Sequence, residues 1–103
     1  MASRREKLDG MLQANPLDQM LRYMLALELE KEGENQLSLE LLTSLIQDTV
    51  PYVPAFLMAG QQLARINRVD EARVTYSAGI TEAQKQSNSH AAGEMAGFLA
   101  TLS

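Results

Sequence analysis

The sequence predicts an all-α protein built from antiparallel helix pairs, and three features support this fold class. Apolar residues recur at the three- and four-residue spacing of a helix along most of the chain. Glycine and proline are few, and they stand where helical segments should stop or start. One stretch of the chain also repeats its pattern of small and large apolar residues 34 positions later. Such a fixed period is typical of stacked helical repeats.

Six helical segments are predicted. Asp18 is a candidate N-cap, Gly33 marks a helix end, and Pro54 fits the first turn of a helix, where its missing N–H is harmless. With these boundaries, the predicted segments cover residues 5–14, 18–33, 36–48, 53–66 and 69–85, and a last helix runs from the Ser87–Ser89 break to residue 102.

Composition limits the class of protein. Of the 103 residues 46% are hydrophobic, enough for one domain with a core. Cysteine is absent, which excludes disulfides and thiolate sites. No apolar run has the length of a membrane span, and the N-terminal residues are charged, so we expect a soluble cytoplasmic protein without membrane contact. The net charge of -4 predicts no nucleic-acid surface.

The internal repeat relates the second and third helices to the fourth and fifth. Small residues fall on small ones and large apolar residues on large ones, without a gap. The matched pairs are Ala26/Gly60, Leu29/Leu63, Gly33/Asn67, Ser38/Ala72, Leu42/Tyr76 and Ile46/Ile80. Two helices approach closely where a side chain is small, hence Ala26 with Ser38 and Gly60 with Ala72, and stacked pairs then bury what one pair cannot. An ordinary helical bundle with coincidental similarity is the alternative.

This period and these positions resemble the tetratricopeptide repeat family. The second copy carries the family pattern at Phe56, Gly60, Leu63, Ala72, Tyr76, Gly79 and Ile80. The first copy departs from it at Arg22, Ser38 and Leu45, and Pro51 is displaced by one place.

The resemblance implies a solenoid fragment, a right-handed superhelix, within a single domain over 1–103. Its parts are an N-terminal helix (1–16), two repeats (19–52 and 53–86) and a C-terminal capping helix (87–103).

No catalytic constellation is recognisable. His90 is the single histidine, and without cysteine neither a triad nor a zinc cluster can form around it. The acidic run from Glu28 to Glu34 divides between two sides of a helix, so it makes no carboxylate dyad. We therefore expect no enzyme activity, no catalytic residue, no cofactor and no metal.

The resemblance implies a partner-binding groove on the concave face, lined by the first helix of each pair. The groove residues are Met20, Tyr23, Met24, Leu27, Leu57, Met58, Gln61 and Arg65. Family members that grip a chaperone's C-terminal carboxylate need lysine, asparagine and arginine where this chain has Tyr23, Leu27, Pro54 and Met58. That activity is not expected here. A methionine-rich apolar groove is suited to an apolar or amphipathic segment of a protein partner.

Three occupants of the groove remain open at this point. A partner protein or peptide is the first, and its identity is not encoded in any recognisable motif. A second copy of the chain is the next, because two repeats are fewer than the three that a self-sufficient array usually needs. The third is the chain's own first helix, through Leu8, Met11 and Leu12.

Overall fold

The computed structural model describes residues 2–102, which contain six α-helices and no strand. The helices are α1 (Arg4–Ala14), α2 (Gln19–Lys31), α3 (Asn35–Ile46), α4 (Val53–Arg65), α5 (Val69–Lys85) and α6 (Ser89–Thr101). The all-α prediction is confirmed, and the predicted helix ends differ from these by no more than two residues. Asp18 caps α2 by accepting a hydrogen bond from the Leu21 N–H at 2.9 Å, and Pro54 lies in the first turn of α4.

The helices pack as consecutive pairs. α2 packs on α3, α4 packs on α5, and α6 packs on α5 with a smaller contact to α4. α1 packs on α2, and α3 links the two repeats by packing on α4. The molecule is accordingly elongated, 44 × 29 × 19 Å along its principal axes.

The position of α1 relative to α2 and α3 is the same as the position of α3 relative to α4 and α5. One shallow cavity lies between α1 and α3 above α2, and another lies between α3 and α5 above α4. Positions 5, 9, 25, 29, 37, 40 and 41 line the first cavity, and positions 39, 43, 59, 63, 71, 74 and 75 line the second. Each position in the second set lies 34 residues after the corresponding position in the first set, so the geometric repeat extends into α1.

Three helices end in the same turn. Gly33, Asn67 and Ser87 each adopt a left-handed conformation, with φ of 81°, 64° and 59°. The N–H of the next residue donates a hydrogen bond of 2.8 Å to the carbonyl five residues earlier. These bonds run from Glu34 to Leu29, from Arg68 to Leu63 and from Asn88 to Ala83. This is the Schellman arrangement, which satisfies the last carbonyls of a helix and reverses the chain. Glycine fits it without strain, while Asn67 and Ser87 adopt it at a cost.

The second repeat is packed around two glycines. A Cβ built on Gly60 would lie 2.7 Å from Cζ of Tyr76, and one built on Gly79 would lie 2.9 Å from Cγ of Phe56. Tyr76 and Phe56 are buried with Met95 of α6 in one core cluster. The close approach at Gly60 is therefore with the Tyr76 ring, one turn beyond the Ala72 contact that the sequence predicts.

In the first repeat a polar clamp replaces the aromatic ring. Arg22, at the position of Phe56, pairs with Asp48 and donates a hydrogen bond to the Leu17 carbonyl at 3.3 Å. Gln19 donates to the same carboxylate at 2.9 Å and to the Val50 carbonyl at 2.7 Å. These donors, the Arg22 guanidinium first, hold the pKa of Asp48 below its ordinary value. The clamp ties the α1–α2 loop to the α3–α4 loop.

Candidate functional site

The predicted groove residues form two stripes on the first helices of the two repeats. On α2, Met20, Met24 and Leu27 follow the four- and three-residue spacing of one helix face. On α4, Met58, Gln61 and Arg65 do the same. We call the surface formed by Met20, Tyr23, Met24, Leu27, Leu57, Met58, Gln61 and Arg65 the groove face.

Most side chains of the groove face are half-buried. Met20 is the most open, with 62% of its surface exposed, and Arg65 is also exposed. Tyr23 and Met58 pack against the core cluster of the first repeat, and Leu57 packs against that of the second. Tyr23, Leu57 and Met58 therefore each have one side fixed in the core and another side open.

Tyr23 connects α2 with the start of α4. Its ring centroid lies 5.4 Å from that of Tyr52, with the planes tilted by 56°. Burial, followed by the neighbouring Tyr52 and Glu30, raises the pKa of Tyr23 above its ordinary value. The phenol is thus a neutral wall of the groove face.

α1 contacts α2 through two ion pairs. Arg4 pairs with Glu28 at 3.3 Å and Arg5 with Glu32 at 3.0 Å, and neither glutamate belongs to the groove face. Leu12 of α1 lines a cavity with Arg22 and Leu41, again outside that face. Leu8 is buried, but Met11 is half exposed. These contacts involve no residue of the groove face, which does not favour the alternative in which α1 covers it.

A buried polar network joins the repeats at one end of the groove face. Gln62 donates from Nε2 to Glu30 at 2.6 Å and to the Ser38 hydroxyl at 2.9 Å. Ser38 in turn donates to the Ala26 carbonyl at 2.6 Å, and Arg65 donates to Glu30 at 3.0 Å. Both N–H groups of Gln62 are used, while its Oε1 is buried without a partner among the described residues. The sequence analysis noted Ser38 but did not predict the network, because a glutamine within a helix gives no local sign that it is buried.

α6 adds a wall that the sequence analysis did not assign to the site. A cavity of about 360 Å³ lies between α4 and α6 and is lined by Gln61, Ala64, Arg65, Tyr76, Phe98, Thr101 and Leu102. Tyr76 and Phe98 stack across it, with centroids 6.1 Å apart and planes 12° from parallel. Phe98 is 39% exposed, although it lies three residues after the buried Met95 on α6. It shares this cavity with Gln61 and Arg65 of the groove face.

The carboxylates with shifted pKa values do not converge. The pKa of Asp48 is lowered by Arg22, and that of Glu71 is lowered by its hydrogen bond to Arg68. Within residues 2–102 no three His, Cys, Asp or Glu side chains are grouped as a metal site would require. No helix in that range has the length and hydropathy to cross a membrane.

Comparison with solved structures gives one clear likeness. The fold matches a tetratricopeptide repeat domain protein from Salinibacter ruber, determined by solution NMR, with a TM-score of 0.77 and 28% sequence identity. The match covers 82% of this chain and 85% of the other. No family model matches the sequence, and comparison with curated proteins found no match. Folds of this type generally serve as protein-interaction modules.

Proposed function

Because the chain has the tetratricopeptide-repeat fold, we propose that it is a non-catalytic interaction module whose groove face binds an apolar or amphipathic segment of a partner protein. The observation that supports the proposal is the packing and exposure of the side chains of the groove face. Tyr23, Leu57 and Met58 pack against the core and stay partly open, Met20 is mostly exposed, and the ion pairs of α1 involve no residue of the groove face. A contiguous open apolar patch of this kind is typical of an interaction site.

The shape of the surface favours a helical ligand. The stripe on α2 is apolar, and the stripe on α4 combines Met58 with the polar Gln61 and Arg65, so the apolar side of an amphipathic helix would lie along α2 and its polar flank along α4. Methionine adapts its shape to different partners because its side chain is flexible and polarisable. The polar end of the groove face carries the Glu30–Arg65 pair, which would face the polar flank of such a helix.

A second candidate function is self-association through the same face. Leu17 and Val50 are 83% and 64% exposed beside Met20, which starts the groove face and is 62% exposed. The hydrogen bonds of Arg22 and Gln19 fix the loops that bear Leu17 and Val50. Fixed apolar side chains in water favour burial against another surface. In this version the chain is a structural subunit without a separate ligand.

Sedimentation equilibrium over a wide concentration range separates the two candidates. It is run on the wild type, on the double variant Met24→Glu/Met58→Glu and on Val74→Glu, a matched change of an exposed apolar residue outside the groove face (70% exposed). Self-association predicts a wild-type dimer that the double variant abolishes and Val74→Glu leaves intact. Ligand binding predicts monomers throughout, and amphipathic helical peptides selected by display on the wild type must then lose binding to the double variant only. Loss of helicity in the double variant, measured by circular dichroism, would place the methionines in the core and contradict both candidates.

The proposal includes a cytoplasmic location without nucleic-acid or membrane partners. The net charge of -4 disfavours phosphate backbones and anionic lipid, and the absence of cysteine makes the fold independent of an oxidising compartment. Fractionation of cells expressing the tagged chain, with binding assays on DNA and on anionic vesicles, tests this part. Recovery in the membrane fraction or salt-sensitive DNA binding would contradict it.

A further inference from the structure

The hydroxyl of Tyr76 has no hydrogen-bond partner among residues 2–102, and it is open to the cavity between α4 and α6 rather than enclosed. Tyr76 is 1% exposed, with its ring edge against Gly60 and its ring face stacked on Phe98. Burial raises the pKa of Tyr76 above its ordinary value, and the charge of Arg65 acts in the opposite direction. No hydrogen bond within residues 2–102 contributes to this pKa. A hydroxyl that a bound ligand shields from water needs a partner in the complex, because leaving it unpaired there has a free-energy cost. Since the ring edge and one ring face of Tyr76 are covered, its hydroxyl end is the part that lines the cavity between α4 and α6.

The cavity around this hydroxyl is rich in hydrogen-bond donors. Arg65 offers N–H groups only, and one of them is occupied by Glu30 at 3.0 Å. The phenol of Tyr76 supplies a further donor, and Gln61 offers both a donor and an acceptor. A ligand that presents one acceptor and one donor can complement these groups.

Charge decides between a carboxylate and a neutral acceptor. The guanidinium of Arg65 is already paired with the Glu30 carboxylate. A second carboxylate would leave one negative charge uncompensated beside Glu30, on a chain with a net charge of -4. A neutral amide takes the same donors without that cost. Its planar shape also suits the open face of the Phe98 ring.

We propose that the cavity between α4 and α6 is an anchor site for an amide group of the bound segment, supplied by its backbone or by an asparagine or glutamine side chain. The amide oxygen accepts from the Tyr76 hydroxyl and the amide N–H donates to the Gln61 side-chain oxygen, while the amide plane lies on Phe98. The inference deepens the proposed function, because Gln61 and Arg65 belong to both the cavity and the groove face. Gly60 makes the site available by letting the Tyr76 ring pass close to the α4 backbone.

The test uses N-methylacetamide as the amide probe and acetate as the matched carboxylate probe. Each is titrated into the isotope-labelled full chain while the ring resonances of Tyr76 and Phe98 are followed by NMR. We expect saturable shifts with N-methylacetamide and weaker binding of acetate. Tyr76→Phe should weaken amide binding about fivefold, as for the loss of one neutral hydrogen bond. Tyr52→Phe, which removes a phenol hydroxyl outside the cavity, should leave it unchanged.

Several results would overturn the inference: non-saturating shifts, acetate binding as tightly as the amide, or equal binding by Tyr76→Phe and wild type. If Tyr76→Phe fails to fold, Gln61→Leu provides the same comparison from the half-buried wall of the cavity, and an unchanged affinity there would also reject the site. The outcome is independent of the groove experiment. Amide binding with no peptide ligand would reject the proposed function alone, while peptide binding without amide binding would reject the anchor site alone.

Discussion

The ring of Tyr76 rests directly on the backbone of Gly60, with Cζ 2.7 Å from the point where a Cβ of residue 60 would stand. No real Cβ tolerates that distance, so the second repeat closes only because residue 60 has no side chain. The first repeat has Ala26 and Leu42 at the matching positions, both fully buried. The two repeats thus solve the same packing problem with different pairs of residues.

Gly60→Ala is expected to destabilise the fold although alanine is the better helix former. The overlap with a fully buried ring costs about 1–3 kcal/mol, and the gain in helix propensity returns no more than about 1 kcal/mol. Gly97→Ala is the matched control, because a Cβ there meets nothing within 4 Å. Urea denaturation followed by circular dichroism should show a lower unfolding free energy for Gly60→Ala and an equal or higher one for Gly97→Ala. Equal changes in both variants would mean that Tyr76 does not constrain residue 60.

Ser87→Gly is expected to stabilise the protein. Ser87 adopts φ of 59° at the end of α5, a left-handed conformation that costs a side-chain-bearing residue about 1 kcal/mol and glycine almost nothing. The change should raise the thermal midpoint by a few degrees for a domain of this size. Ser89→Gly, inside the first turn of α6, should lower it instead. A lower midpoint for Ser87→Gly would show that the turn has another geometry.

The Arg22–Asp48 clamp predicts a specific dependence of stability on pH. Its partners lower the pKa of Asp48 in the folded state below the ordinary value of 3.8, so the ionised carboxylate stabilises the fold above that pH. This contribution is lost as the pH falls through the folded-state pKa. The unfolding free energy of the wild type should therefore exceed that of Asp48→Asn at neutral pH, and the difference should shrink in acid.

The control for the clamp is the same comparison in an Arg22→Met background. Without the guanidinium, which is the largest influence on the Asp48 carboxyl, most of the acid-dependent difference should vanish. A difference that persists unchanged in Arg22→Met would mean that another partner holds the carboxylate.

Ser38→Ala is expected to destabilise the protein although the change is small. It leaves a buried N–H of Gln62 without its acceptor and the Ala26 carbonyl without its donor, at a cost of about 1–3 kcal/mol. Gln62→Met should cost less in the Ser38→Ala background than in the wild type, because the partner is already lost. A double-mutant cycle from urea denaturation measures this coupling. Additive effects would show that the two residues do not interact.

The helices were predictable because their ends are local features. Asp18, Gly33 and Pro54 each act on the turn in which they stand, and the 34-residue repeat was visible because small residues such as Ala26 and Gly60 occupy matching places. The candidate site was predictable only in part. The stripes on α2 and α4 follow from helical periodicity, while the roles of Gln62 and Phe98 do not.

The sequence by itself determined the all-α class, the six helices and the spacing of the repeat, because these depend on neighbours within a few positions and on a fixed period. Tertiary structure alone decided which polar residue is buried and which aromatic residue stays open. Gln62 is buried because residues of α2 and α3 meet it, and Phe98 is open because a cavity remains between α4 and α6. Both outcomes depend on residues far apart in the sequence, such as Ser38 for Gln62 and Tyr76 for Phe98, which the local pattern of either helix does not contain.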